Sequence, residues 1–278
     1  MVGILKRIVE HTRREVERAK ARVPLAELEA MVAQGDPPRN LFAAVTQHPT
    51  RVHTSVVAEI KRASPSAGLI RGEFEDDFQP ERIAERYCAA GASAISCLTE
   101  REFFRGDPAY IERIKSAVPL PVLRKDFLID PYQLWESRAI GADAVLLIAE
   151  CLTEARLIDM MILAHQLRLT VLLEVHTMEN LLAVRPYVGF PHPSYTLLGI
   201  NNRDLSTMKV DLTHTLRLAD MVESRQTLVS ESGIRSPADL RRLRGVGVRI
   251  VLVGEHLMRA EDPGAALAQL LGEEGPLS

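Results

Sequence analysis

The stretch Val56-Val57-Ala58-Glu59-Ile60-Lys61-Arg62-Ala63-Ser64-Pro65-Ser66 holds the repeating unit of this chain in miniature. Val56 to Ile60 is a short aliphatic run of strand length, and it closes on charge. Successive side chains of a strand point to opposite faces, so Glu59 and Lys61 share one face. A run buried on both sides is what a parallel sheet requires, and a charged pair at its end then needs a reason to be there. Ser64-Pro65-Ser66-Ala67-Gly68 follows as a turn.

Working outward, the same pattern recurs at Ala94 to Leu98, Pro121 to Leu123, Ala144 to Ile148, Thr170 to Leu173, Thr196 to Ile200, Thr227 to Ser230 and Arg249 to Val253. Helix-length segments lie between these runs, such as Pro80 to Ala90, Tyr132 to Ile140, Thr153 to Leu167 and Ser236 to Arg244. Ser236-Pro237 and Thr153-Glu154 are helix-entry signals, and Gly91-Ala92 and Gly141-Ala142 are helix exits. The alternation predicts an α/β fold, a (β/α)8 TIM barrel, with an open doubly wound sheet as the competing arrangement. Residues 1–50 lack a strand pattern. They show helical periodicity around Ile8 to Val16 and Leu25 to Met31, before the break at Gly35-Asp36-Pro37-Pro38. The expected division is a helical extension over 1–50 that caps one end of the barrel, and a catalytic barrel over 51–278.

With 278 residues, 46% hydrophobic and 26% charged, the chain can bury a core without disulfides or a structural metal. A net charge of -3 supplies no broad cationic field for nucleic acid or an anionic membrane, so a phosphate site must be local. The expected partner is a phosphorylated small molecule, and the expected assembly a monomer or weak oligomer. Cys88, Cys97 and Cys151 are far apart, without metal-ligand spacing, and read as buried reduced thiols. The apolar residues near the start are broken by Lys6 and Arg7, too short a run for a signal peptide, so a cytoplasmic location is expected.

The charged and amide side chains gather at the carboxyl ends of the runs: Glu59 and Lys61, then Lys125, Glu174, Asn201 and Glu231. Each taken alone could mark a strand reaching solvent; together they describe a barrel mouth built for proton transfer. Ser232-Gly233-Ile234 and Gly254-Glu255 follow the seventh and eighth runs, where barrels hold phosphate on backbone N–H groups. Ser64 to Gly68 could add hydroxyl and amide donors to the same anion. Arg203 could clamp a carboxylate or pair with Asp204. Phe104 could wall an aromatic substrate or pack its own loop. His176 reads as a satisfied loop histidine, and Trp135 as helix packing.

The segments Ala58 to Ser66, Leu98-Thr99-Glu100 with Phe104, Leu123 to Phe127, Leu172 to Val175, Gly199 to Leu205, Ser230 to Ile234 and Val253 to Arg259 resemble the indole-3-glycerol-phosphate synthase family over nearly the whole chain. That resemblance implies a carboxy-lyase of tryptophan biosynthesis. It implies closure of 1-(2-carboxyphenylamino)-1-deoxyribulose 5-phosphate to indole-3-glycerol phosphate with loss of CO2 and water, and no metal or redox cofactor. It gives Lys125 the carbonyl oxygen and shares the later proton transfers among Lys61, Glu59 and Glu174. Asn201 and Glu231 would bind hydroxyls or hold the lysines, while Arg203, Ser64 and Lys61 would meet the substrate carboxylate within the Ser64-Pro65-Ser66 loop. Ser232, Gly233 and Gly254 would cradle phosphate, and Phe104 with Leu146 would contact the anthranilate ring. Three features depart from the family pattern: a long, proline-rich link from Val184 to Ser194, Met208 after the Asn201 to Leu205 segment, and acidic Glu255, whose side chain must point away if phosphate binds there. The competing readings are another phosphate-binding barrel, such as a phosphoribosyl isomerase, and an inactive barrel used as a binding module.

Overall fold

Strands β1 (Ser55–Ile60), β2 (Ala94–Leu98), β3 (Val122–Lys125), β4 (Ala144–Ile148), β5 (Thr170–Val175), β6 (Thr196–Asn201), β7 (Leu228–Glu231) and β8 (Ile250–Val253) pair in sequence order and all parallel. The ring closes where Ser55 of β1 stands beside Ile250 of β8. A computed structural model describes residues 3–47, 53–205 and 207–272 in this arrangement, a TIM barrel.

Period two sorts the strand residues. Val57, Ala94, Leu123, Ala144, Leu172, Leu197, Val229 and Ile250 fill the inside of the ring. Their neighbours Val56, Ile95, Val122, Val145, Val171, Leu198, Leu228 and Val251 pack outward under the helices. Four strands run further than their apolar residues suggest, since Lys125, Glu174, Asn201 and Glu231 lie within β3, β5, β6 and β7. Backbone pairing continues through these residues, whose side chains line a cavity.

Helices α1 (Ile4–Arg22), α2 (Leu25–Gln34) and α3 (Leu41–Thr46) precede the barrel. Between the strands run α4 (Pro80–Ala89), α5 (Ala109–Ala117), α6 (Pro131–Ala139), α7 (Glu154–Gln166), α8 (Met178–Val184), α9 (Thr213–Leu218), α10 (Pro237–Gly245), α11 (Glu255–Met258) and α12 (Pro263–Leu271). The caps follow the sequence logic: Ser236 accepts the Asp239 N–H ahead of Pro237, and Thr153 accepts that of Arg156. The Val184 to Ser194 link turns back on the barrel, with the His165 and His192 rings stacked at 5.6 Å and Tyr195 edge-on to both.

The N-terminal helices reach both ends of the ring. Ile4, Leu5 and Ile8 of α1 overhang the cavity at the carboxyl ends of the strands, and α2 packs along α6. Tyr132 of α6 donates to the Ala19 and Val23 carbonyls, while Lys20 pairs with Asp130 at 2.9 Å. Leu41 and Val45 of α3, a helix with too few residues to show a period, plug the opposite end beneath Val57 and Ala94. The expected division between residues 50 and 51 falls in 48–52, outside the described residues.

Asp143, fully buried, fastens that lower end: it accepts the Arg39 N–H at 2.6 Å, the Val122 N–H at 2.8 Å and the Lys115 ammonium at 2.5 Å. Asp143→Ala strands the Lys115 charge and two amides, and is expected to cost about 3–5 kcal/mol. The midpoint of urea unfolding measures it.

Candidate active site

At the carboxyl ends of the strands lies a cavity of about 480 Å³, and every residue singled out as catalytic or substrate-binding from the sequence lines it. Its floor is made by the inward members of the strands. Glu59 and Lys61 stand at the end of β1, with Lys61 Nζ 2.7 Å from Glu59 Oε1. Across the ring, Lys125 of β3 donates to Glu174 Oε2 of β5 at 2.7 Å and lies 3.5 Å from Glu231 of β7.

These groups are buried, so their charges depend on one another. Burial pushes Glu174 up, but Lys125, His176 and hydrogen bonds from Glu231 and Lys125 outweigh it and hold the carboxyl down at about 2. Burial also pushes Glu231 up, the Glu174 charge pushes it further, and Lys125 compensates only in part, so it lies well above the usual carboxylate range. Burial opposes the Lys125 charge, yet Glu174, Glu231 and Glu59 raise its pKa and keep it an ammonium. Of two facing carboxyls, therefore, Glu174 is held down and Glu231 is pushed up, and the two titrate as a pair.

Two glycines make room for the acids. A Cβ on Gly254, at the end of β8, would overlap the Glu59 carboxylate, and one on Gly199 of β6 would overlap that of Glu231. Gly254 thus has a task beyond approach to an anion: it lets Glu59 lie flat beside Lys61. Gly254→Ala is expected to displace Glu59 and lower kcat about a hundredfold, as steady-state kinetics would show.

The loop after β7 adopts left-handed backbone at two successive residues, Ser232 (φ 67) and Gly233 (φ 81). Buried Asn202 fixes it, its Nδ2 donating to the Glu231 and Ser232 carbonyls at 2.9 and 3.0 Å and its Oδ1 accepting from Thr215. A Cβ at Gly233 would come within 2.6 Å of Val210. Ser64 to Ser66, Ser232 to Arg235 and Gly254 to His256 all line the cavity.

The side-chain partners differ from expectation at three places. Arg203 meets Glu255 at 3.3 Å and donates to the Met208 carbonyl at 3.2 Å, so Met208 enters the pocket wall through the backbone as well. Glu255, expected to turn away, lines the cavity; Arg203 and Arg259 neutralise it, the latter one helical turn on. His176, read as an ordinary loop residue, is buried against Glu174 and Glu150 at 3.3 Å each. Its signal was available in the period two of Leu172, Glu174 and His176. Cys88 and Cys151 are only half-buried, and Cys97 alone is fully enclosed.

The apolar side of the cavity holds Phe104, Leu146, Ile148 and Phe127, with Ile4, Leu5 and Ile8 overhead. The Phe104 and Phe127 rings lie 6.0 Å apart. Glu100 sets the Phe104 loop by accepting the N–H groups of Glu102, Phe103 and Phe104. The cavity thus combines an aromatic and aliphatic set of side chains, the serine- and glycine-bearing loops after β1, β7 and β8, and two lysine–carboxylate pairs.

The family model for indole-3-glycerol phosphate synthase matches residues 5–270. Indole-3-glycerol phosphate synthase from Acidithiobacillus ferrooxidans is 45% identical over 97% of this chain and 99% of its own length. The Rhodospirillum rubrum protein of that name is 43% identical over 98% and 100%. Solved structures share the fold at lower identity. 3-Hexulose-6-phosphate synthase from Salmonella typhimurium superimposes with a TM-score of 0.58 at 14% identity, covering 78% of this chain and 98% of that one. Thiamine phosphate pyrophosphorylase from Pyrococcus furiosus does so with 0.54 at 17%, covering 79% and 95%. With the family model spanning nearly its whole length and relatives of the same name above 40% identity, the chain belongs to the indole-3-glycerol phosphate synthase family.

Proposed function

We propose that this cavity closes the indole ring of 1-(2-carboxyphenylamino)-1-deoxyribulose 5-phosphate, the anthranilate ring lying against Phe104 and Leu146 and the phosphate on the Ser232-Gly233 and Gly254 backbone. The observation that carries this reading is the pair of buried lysine–carboxylate contacts, 2.7 Å each, on opposite sides of one cavity. Such a site can supply positive charge at one atom of the substrate and move a proton at another without a cofactor.

The ring carbon bearing the carboxylate attacks the ribulose ketone, and the electron pair of the carbonyl π bond moves onto oxygen. The Lys125 ammonium meets that oxygen and protonates it. The bond to the carboxylate then breaks, CO2 leaves, and its electrons restore the aromatic ring. In dehydration the hydroxyl departs as water with a proton from Lys61, held in place by Glu59. Glu174, ionised, takes up the proton released beside the anilinic nitrogen. Asn201 and neutral Glu231 bind the sugar hydroxyls, and Ser64, Pro65 and Ser66 with Arg203 close around the substrate carboxylate. Glu255 keeps Arg203 extended across the rim; with its charge matched by two arginines, it leaves the phosphate loops free of net repulsion.

Helices α1 to α3 act as an extension to the barrel, with α1 as the roof of the anthranilate pocket and α3 as the plug of the opposite end. No helix among the described residues is long and apolar enough to cross a membrane, and the proposed working form is a cytoplasmic monomer or weak oligomer.

The test is to mix purified protein with the carboxyphenylamino substrate in the presence of a chelator. Indole fluorescence should appear; its absence from mildly acidic to mildly alkaline pH would overturn the proposal.

A further inference from the structure

Two residues beyond Glu174, His176 still lies on the inward side of the barrel, its side chain 5% exposed. Its Nε2 is 3.3 Å from Glu174 Oε1, and its Nδ1 is 3.3 Å from Glu150 Oε2. Glu150 lies in the turn Ala149–Cys151 that follows β4. Its other oxygen accepts the His176 backbone N–H at 2.9 Å and the Asn180 amide at 2.7 Å. One carboxylate therefore holds both the ring and the backbone of His176. The opposite oxygen of Glu174 meanwhile accepts from Lys125.

An imidazole between two carboxylates can face both with a proton only as the imidazolium; the neutral ring would turn a lone pair toward one of them. The charged and titratable groups around it are Glu150 after β4, Glu174 of β5, Lys125 of β3 across Glu174, and His214 of α9, which bonds the His176 backbone. Burial and Lys125 oppose the positive ring, and the two carboxylates prevail. Among the described residues, Glu231, the other member of the facing carboxyl pair, has one cation in ion-pair contact, Lys125 at 3.5 Å. Two contacts therefore separate these otherwise similar acids: Lys125 lies closer to Glu174, and His176 adds a second partner on the far side of Glu174 alone.

We infer that His176, clamped by Glu150, is a positioning residue that fixes the Glu174 carboxylate on Lys125. This rests on Glu174 acting as the base in the proposed dehydration. His176 touches neither reacting atom, so its removal should alter the charge and orientation of Glu174 while leaving the ring and phosphate contacts in place.

His176→Gln keeps the size and hydrogen-bonding capacity of the side chain and discards the charge. It is expected to lower kcat about tenfold or more with KM changed by less than about threefold. The acid limb of the kcat–pH profile should move upward, because a base that loses a neighbouring cation is protonated at higher pH. Glu150→Gln should shift the limb the same way by less, and the double variant should be no worse than His176→Gln alone. Histidine ring ¹⁵N NMR of the resting protein gives a readout independent of turnover, with both His176 nitrogens protonated at neutral pH. A neutral ring, or an unmoved pH profile in a folded His176→Gln protein, overturns the inference. Absence of turnover in the unsubstituted protein would instead overturn the proposed reaction, while the NMR result would still test the charge of His176.

Discussion

Lys125→Met is expected to lower kcat about a thousandfold, with KM changed by less than about threefold. Methionine has nearly the length of lysine and packs in the same slot, so loss of shape is small and loss of charge is complete. The substrate's ketone is neutral when it binds and becomes an oxyanion as the new bond forms; a cation there stabilises the transition state far more than the ground state. Lys125 can serve this way because it is anchored by Glu174 at 2.7 Å and Glu231 at 3.5 Å before substrate arrives. Removing it also takes away the cation that Glu174 and Glu231 share, leaving His176 as a partner of Glu174 alone. Steady-state kinetics on the folded variant measures the effect. A large rise in KM with kcat unchanged would mean that Lys125 serves binding alone.

Glu174→Gln should lower kcat by about 10²–10⁴-fold, the range for loss of a general base. Glutamine preserves an oxygen acceptor for Lys125 but cannot take up a proton. The pH dependence carries the sign. Glu174 is depressed to about 2, so its basic form is present throughout the working range and is lost only as pH falls through that value. Its stabilisation of the fold runs the same way, present above the unfolded carboxylate value and lost toward about 2. Glu231 is raised, so its neutral form and the stability that goes with it are present at low pH and lost as pH rises through its folded pKa. An alkaline decline in turnover is therefore expected to vanish in Glu231→Gln and, because the Glu174 charge helps raise Glu231, to move to lower pH in Glu174→Gln. Steady-state profiles of the two variants would show this, and a decline retained in Glu231→Gln would remove Glu231 from the role.

The barrel was legible because its signal is redundant. Eight aliphatic runs with helix-length segments between them leave little else for the chain to form, and the shared parity of Glu59 and Lys61 puts both on one face of β1. Parity carries direction but not distance. It could not tell that Lys125 reaches Glu174 and Glu231 together while Lys61 keeps to its own strand, because that depends on the stagger of strands around the ring. Side chains at loop positions were harder. Glu255 turned into the cavity because Arg203, from a different loop, and Arg259, one turn on, both draw it there; only the second of these was written locally. His176 lay on the inward parity, but its partner Glu150 comes from another turn. The role of α3 was invisible for a different reason: Leu41 and Val45 are too few to make a period, and what they plug is an end of the ring that exists only once it has closed. Gly254 looked like a phosphate glycine, and its second task, leaving space for Glu59, required the neighbouring strand to be in place.

The most direct test of Lys125 as the group that starts the reaction is a single-turnover measurement of CO2 release and indole formation on the same sample. The unsubstituted protein should release one CO2 per indole formed, and Lys125→Met should lose both at once, since without ring closure the carboxylate has no reason to leave. Release of CO2 by Lys125→Met at the unsubstituted rate would contradict that role.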